Sequence, residues 1–161
     1  MPRITAAQAG GANLCAFLDM LAWSEGTDNG RQPTRDHGYD VLVGGELFAG
    51  YADHPRKLVA LPRLGIKSTA AGRYQLLARY WDAYRKILDL KDFGPISQDC
   101  IALQQIKERR ALDDIGAGRI EAAMAKVRNI WASLPGAGYG QHEHRADDLL
   151  AKYITAGGVL A

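Results

Sequence analysis

Leu14, Phe17, Leu18 and Leu21 recur at helical spacing, and the residue that continues their stripe one turn further along is a carboxylic acid, Glu25. Gly26 follows and offers a helix stop. The pattern predicts a first helix from a cap at Asn13 to about residue 24, with Glu25 at its C-terminal end and in line with the core. Two readings of that acid stand side by side. In one, the helix ends a turn early and Glu25 is a solvated helix end. In the other, burial and the negative end of the helix dipole both disfavour the carboxylate, so the group holds its proton toward neutral pH and serves as a proton donor.

Downstream of Gly26, residues 26–38 read as loop. Apolar segments at 39–43 and 46–48 flank Gly44 and Gly45, a two-residue hairpin signal. A second irregular stretch, 50–69, carries Pro55, Pro62 and Gly65 among Arg56, Lys57, Arg63 and Lys67, and loops of that length are functional or mobile segments. Helical spacing returns at 71–88 with Leu77, Tyr80, Trp81, Tyr84 and Leu88, and at about 97–109 behind a Ser97 cap. It appears again at 119–132, with Ile120, Met124, Val127 and Trp131, and at 143–155. Residues 1–12 read as a mobile lead-in and 134–141 as a Gly-rich loop. The elements predict an α+β fold in a single domain of 161 residues: mostly helical, with a small antiparallel sheet inserted after the first helix.

Composition excludes several classes. A net charge of +2, from 20 basic and 18 acidic residues, is too small to imply nucleic acid, although it tolerates an anionic polymer. The apolar run at 14–23 is interrupted by Asp19 and is about half the length of a membrane span. With no cleavage-site pattern behind a basic segment, the reading is no signal peptide and no membrane insertion, hence accumulation in the cytoplasm. Cys15 and Cys100 each sit among apolar residues on expected helices and read as free core thiols.

Other chemistries fail on spacing. A zinc-protease helix beginning at His142 and Glu143 needs a second histidine at position 146, where Ala146 stands. His142 and His144 face different ways and read as surface histidines, so neither metal nor cofactor is expected. Gly136, Gly138 and Gly140 are followed by Gln141 where a dinucleotide fingerprint needs glycine. Sugar recognition, by contrast, has compatible parts. Tyr39, Tyr51, Tyr74, Gln75, Tyr139 and Gln141 lie in or beside the loops, with rings suited to stacking on pyranose faces and amides suited to binding hydroxyls.

Longer segments then carry a resemblance: FLDMLAWSEGTDNGRQ at 17–32, HGYDVLVGGELF at 37–48 and DHPRKL at 53–58. AGRYQLL at 71–77, LQQIKER at 103–109 and NIWASLPGAGYGQ at 129–141 extend it. Over roughly 14–156 the chain is similar to the lambda-type phage endolysins, lytic transglycosylases of the lysozyme-like superfamily. The resemblance implies a lysozyme-like fold and cleavage of the β-1,4 bond between N-acetylmuramic acid and N-acetylglucosamine in peptidoglycan strands. It places the catalytic glutamate in WSEGT, at Glu25. There the acid protonates the glycosidic oxygen and then acts as base on the muramyl 6-hydroxyl, giving a 1,6-anhydro sugar without water.

The same likeness adds Asp40, His54, Ser133 and Gly136 to the candidate sugar contacts, and implies two mobile lips at 57–66 and 134–141. The first lip departs from the family pattern, with Ala70 where relatives often carry glycine. A hydrolytic muramidase would need a second carboxylate, for which Asp28, Asp36, Asp40 and Glu46 are candidates that also read as plain polar loop residues. A wall-binding module without catalysis is a third reading. The expected setting is a monomer that accumulates in the host cytoplasm and acts on the periplasmic wall once a holin-type partner has permeabilised the membrane.

Overall fold

Seven α-helices and one two-stranded antiparallel sheet make up the fold in the computed structural model, which describes residues 1–161. The stripe around Leu14 lies in α2, Ala12–Ser24, where Leu14, Ala16, Phe17, Leu18, Met20, Leu21, Ala22 and Ser24 are all buried. A helix apolar on most faces belongs inside a domain. It packs against α1 (Ala6–Ala9), α5 (Leu112–Gly116) and α7 (Ala146–Thr155) and forms the axis of a 23-residue core cluster. Burying a side chain such as Phe17 stabilises by about 2–3 kcal/mol. Asn13 is not the cap. Its amide donates to the carbonyls of Gly116 and Val159 and its oxygen accepts from the Val159 N–H, so it ties α2 to the chain's last residues.

The expected mobile lead-in is ordered. α1 starts with a capping box: Thr5 Oγ1 accepts from the Gln8 N–H and Gln8 Oε1 accepts from the Thr5 N–H. Just before it, the Arg3 and Ile4 N–H groups both donate to Asp99 Oδ2 at 2.8 Å. Asp99 is fully buried in α4 (Pro95–Glu108), and its Oδ1 accepts from the hydroxyls of Tyr39 and Tyr74, each at 2.7 Å. A second buried ion stands nearby. Arg73 is 1% exposed, bonds Asp19 at 2.5 Å and Asp28 at 2.7 Å, and lies over the rings of Tyr39 and Tyr74.

The sheet falls at a different place from the one expected. β1 (Val59–Leu61) pairs with β2 (Ile66–Ser68) around Pro62–Leu64 and Gly65, inside the stretch read as irregular. The segments either side of Gly44 and Gly45 make a turn but not a ladder, leaving the isolated bridge Val41↔Leu47. Their hydrogen bonds are divided between partners: the Leu42 N–H donates to Glu46, the Val43 N–H to Ala70, and Val41 accepts from Gly72. A smaller buried cluster of Leu42, Ala71, Leu76, Trp81, Phe93 and Ile101 fills the space beneath these turns.

Helix bounds shift for similar reasons. α3 is Ala78–Ile87 and begins well after residue 71, because Ala71 bridges to Leu76 across a turn in which Gln75 has a φ of 52°. α4 begins at Pro95, so Ser97 lies inside it and donates to Asp92. α6 is Ile120–Val127 and stops short of residue 132, while α5 was not expected. α7 begins at Ala146, since the carboxylate of Glu143 instead accepts from the N–H groups of Gly136 and Gly138. Cys15 and Cys100 are free thiols.

Candidate active site

The end of α2 builds the site. Gly26 takes the left-handed conformation, φ 76°, the Thr27 N–H bonds back to Ala22 O at 3.1 Å and the Gly26 N–H to Trp23 O at 3.0 Å. This is a Schellman cap, and it fixes Glu25 as the C-cap residue of α2, with its side chain turned into a cleft. Thr27 Oγ1 reinforces it by donating its one proton to Arg73 O at 2.6 Å, with Ala22 O 3.1 Å away, which anchors the cap to the buried arginine.

Glu25 keeps a partly open surface toward the cleft, yet its carboxyl group is enclosed by protein. Burial pushes its pKa up to about 7, against hydrogen bonds from Ser133 that favour the carboxylate and limit the rise. Ser133 Oγ donates to Glu25 Oε1, and Ser24 Oγ donates to Ser133 Oγ at 2.7 Å. The His144 N–H donates to Ser133 O at 2.9 Å, and its Nε2 lies 3.1 Å from Ser24 O. Burial lowers the His144 pKa, so the ring is neutral at pH 7, and its contact with a carbonyl assigns the proton to Nε2.

The cleft measures about 820 Å³ and is mostly polar. Ser133 and Gln141 line it with Glu25, as do residues that sequence reasoning did not single out as contacts: Trp23, Asn29, Arg31, His144, Asp148 and Lys152. The Trp23 ring packs against the His144 ring, 4.7 Å away, and has Lys152 Nζ 5.0 Å from its centre. Adjacency to Ser24 and Glu25 was the available signal for Trp23; α7 gave none, because its place beside α2 is set by tertiary packing.

Other candidates lie elsewhere. Tyr74, Gln75 and Tyr139 line a second, more apolar groove of about 350 Å³ with Tyr80, Tyr84 and Trp131. Within it Tyr139 is exposed and donates to Asn129 O, while Gln75 donates to Val41 O and Gly72 O. Tyr39, Asp40 and His54 are buried with their polar atoms committed inside the protein. Tyr39 donates to Asp99, Asp40 accepts from Thr34 and the Arg35 N–H, and His54 joins Leu76 O to the Arg56 N–H. Tyr51 is half-buried and donates to Asp36, and Gly136 forms the turn clasped by Glu143.

The four possible second carboxylates are likewise engaged. Asp28 pairs with Arg73, Asp36 with Arg3 and Tyr51, Asp40 with Thr34, and Glu46 with Lys57. In the cleft itself the other carboxylate is Asp148, exposed in the first turn of α7.

A helical α+β domain whose long central helix ends on an enclosed glutamic acid facing a polar cleft has the lysozyme-like architecture. The family model described as Endolysin matches residues 15–160, and the chain belongs to that family. It is 71% identical to the endolysin of Escherichia phage lambda over 146 residues, covering 90% of this chain and 91% of that one. It is 56% identical to the endolysin of Escherichia phage P2 over 158 residues, covering 92% and 95%. Among solved structures, bacteriophage lambda lysozyme complexed with a chitohexasaccharide superposes with a TM-score of 0.91 at 64% identity, covering 100% of both chains. Lysozyme from bacteriophage lambda gives 0.87 at 63%, again over 100% of both.

Proposed function

We propose that the protein is a peptidoglycan lytic transglycosylase in which Glu25 acts first as acid and then as base. Membership of the endolysin family supports the bacterial cell wall as target, and the chitohexasaccharide held by the lambda lysozyme supports an amino-sugar glycan as ligand. The observation that carries the reading is the enclosure of Glu25, which keeps its proton to about pH 7 in a cleft open to a polymer. The Glu25 proton passes to the glycosidic oxygen as the C1–O bond breaks. The muramyl C6 hydroxyl then bonds to C1 and its proton returns to Glu25, restoring the acid. No second carboxylate is needed, in keeping with the engagement of Asp28, Asp36, Asp40 and Glu46.

A hydrolytic muramidase is the second reading, favoured by Asp148 in the same cleft. Mass spectrometry of digested cell walls separates the two: 1,6-anhydro ends support transglycosylation, whereas reducing ends that disappear in Asp148→Asn support hydrolysis. The reading includes a holin-type partner that lets protein accumulated in the host cytoplasm reach the wall. No helix is long and apolar enough to cross a membrane.

A further inference from the structure

The contact between Ser133 and Glu25 is one link of a directed chain. A serine hydroxyl has one proton to give and two lone pairs to receive with. Ser133 Oγ receives from Ser24 Oγ at 2.7 Å and gives its own proton to Glu25 Oε1. The two serines are 109 residues apart in sequence, and His144 holds both: its N–H donates to Ser133 O and its Nε2–H to Ser24 O. With the carboxyl oxygen Oε1 as the acceptor, the chain runs from the last turn of α2, through the base of the lip that begins at residue 134, to one particular oxygen of the acid.

We propose that Ser24 and Ser133 form a positioning relay that assigns the two oxygens of Glu25 different roles, with Oε1 held as acceptor and Oε2 carrying the proton delivered to the glycosidic oxygen. The proposal rests on the reading of Glu25 as the acid. An oxygen that accepts the Ser133 proton does not present its own along the same line, so the acid proton resides on Oε2. When that proton leaves, negative charge spreads to Oε1 and the Ser133 bond becomes charge-assisted, roughly doubling in strength. An interaction that strengthens along the reaction coordinate lowers the barrier without tightening ground-state binding, and so raises kcat rather than lowering KM. The reverse holds as Glu25 takes the muramyl hydroxyl proton: Ser133 keeps Oε1 occupied, so the proton passes from the hydroxyl to Oε2.

Ser133 is thus a positioning residue, and the pH profile separates this role from a structural one. Arg31, His142, His144, Asp148 and Lys152 face the same cleft from the loop after α2, the segment between the lip and α7, and α7 itself. They are unchanged in a serine variant, so their influence cancels in the comparison. In Ser133→Ala, kcat on purified cell walls falls about tenfold with KM little changed, and the alkaline limb of the kcat/KM profile moves to higher pH because a donor that favours the carboxylate is gone. Ser133→Thr, which keeps the hydroxyl, restores most of kcat and the original limb. Ser24→Ala removes the orienting donor and shifts the limb the same way by less, a readout that stands if the Ser133→Ala chain fails to fold.

A limb in Ser24→Ala and Ser133→Ala that coincides with that of the unmodified protein overturns the relay, as does a threonine variant as impaired as the alanine one. Failure of the underlying reading shows differently. It would appear as full activity in Glu25→Gln.

Discussion

Glu25 has a pKa of about 7 in the fold, whereas an unfolded chain ionises glutamate near 4.5. Between those values the folded protein carries a proton that the unfolded one has released, so stability falls as pH rises through the window. Below about 4.5 both states are protonated and nothing is lost. Above about 7 both are ionised and the whole difference, about 3 kcal/mol, is missing. Glu25→Gln is neutral throughout and should abolish this slope: urea unfolding at pH 5 and pH 8 is expected to show a larger loss in the unmodified protein than in the variant. The same substitution is expected to lower kcat about 10³-fold on cell walls, because glutamine has no proton to transfer. Spacing along α2 made this residue legible, since an acid in register with Leu18 and Leu21 needs a reason to be there. It did not reveal Ser133, whose approach to Glu25 spans 108 residues of sequence and depends on how the lip folds back.

At the scale of elements, the cap that ends α2 sets the aim of the acid. Gly26→Ala places a Cβ at φ 76° in ordinary contact with Asn29 Nδ2, 3.7 Å away, so backbone strain is the main penalty. A stability loss of about 1 kcal/mol is expected, accompanied by a fall in kcat of up to about 10²-fold, as the strained cap moves Glu25 against Ser133. Circular dichroism melts and turbidity assays on one preparation check both. The longer helices were readable from their periodic apolar faces, with Gly26 and Pro95 marking two of the ends, whereas α1 and α5, of four and five residues, are too short to show a period. The sheet was not, and Gly44-Gly45 shows why. That turn was correctly read as tight, but whether its arms pair with each other or with Ala70 and Gly72 is decided by contacts with the segment before α3. The residues that do form strands, Val59–Leu61 and Ile66–Ser68, are three long on each side and too short for alternation to stand out.

For the molecule as a whole, buried charge does much of the joining. Asp99→Asn turns one acceptor into an NH₂ group facing the two N–H donors of Arg3 and Ile4. It is expected to destabilise by about 3 kcal/mol and to lower the Tm by about 10 °C, read by calorimetry. Cys15 and Cys100 are free and raised in pKa by burial, so added reductant should leave the Tm unchanged and thiol reagents should react slowly. The hub at Asp99 draws together residues 3, 4, 39 and 74 from chain segments that share no helix or strand. Such a knot leaves little scope for partial opening. In native-state hydrogen exchange, the amides of Arg3 and Ile4 should therefore be among the slowest to trade deuterium. Their rates should follow global unfolding as denaturant rises, so that the first few residues report the opening of the entire domain.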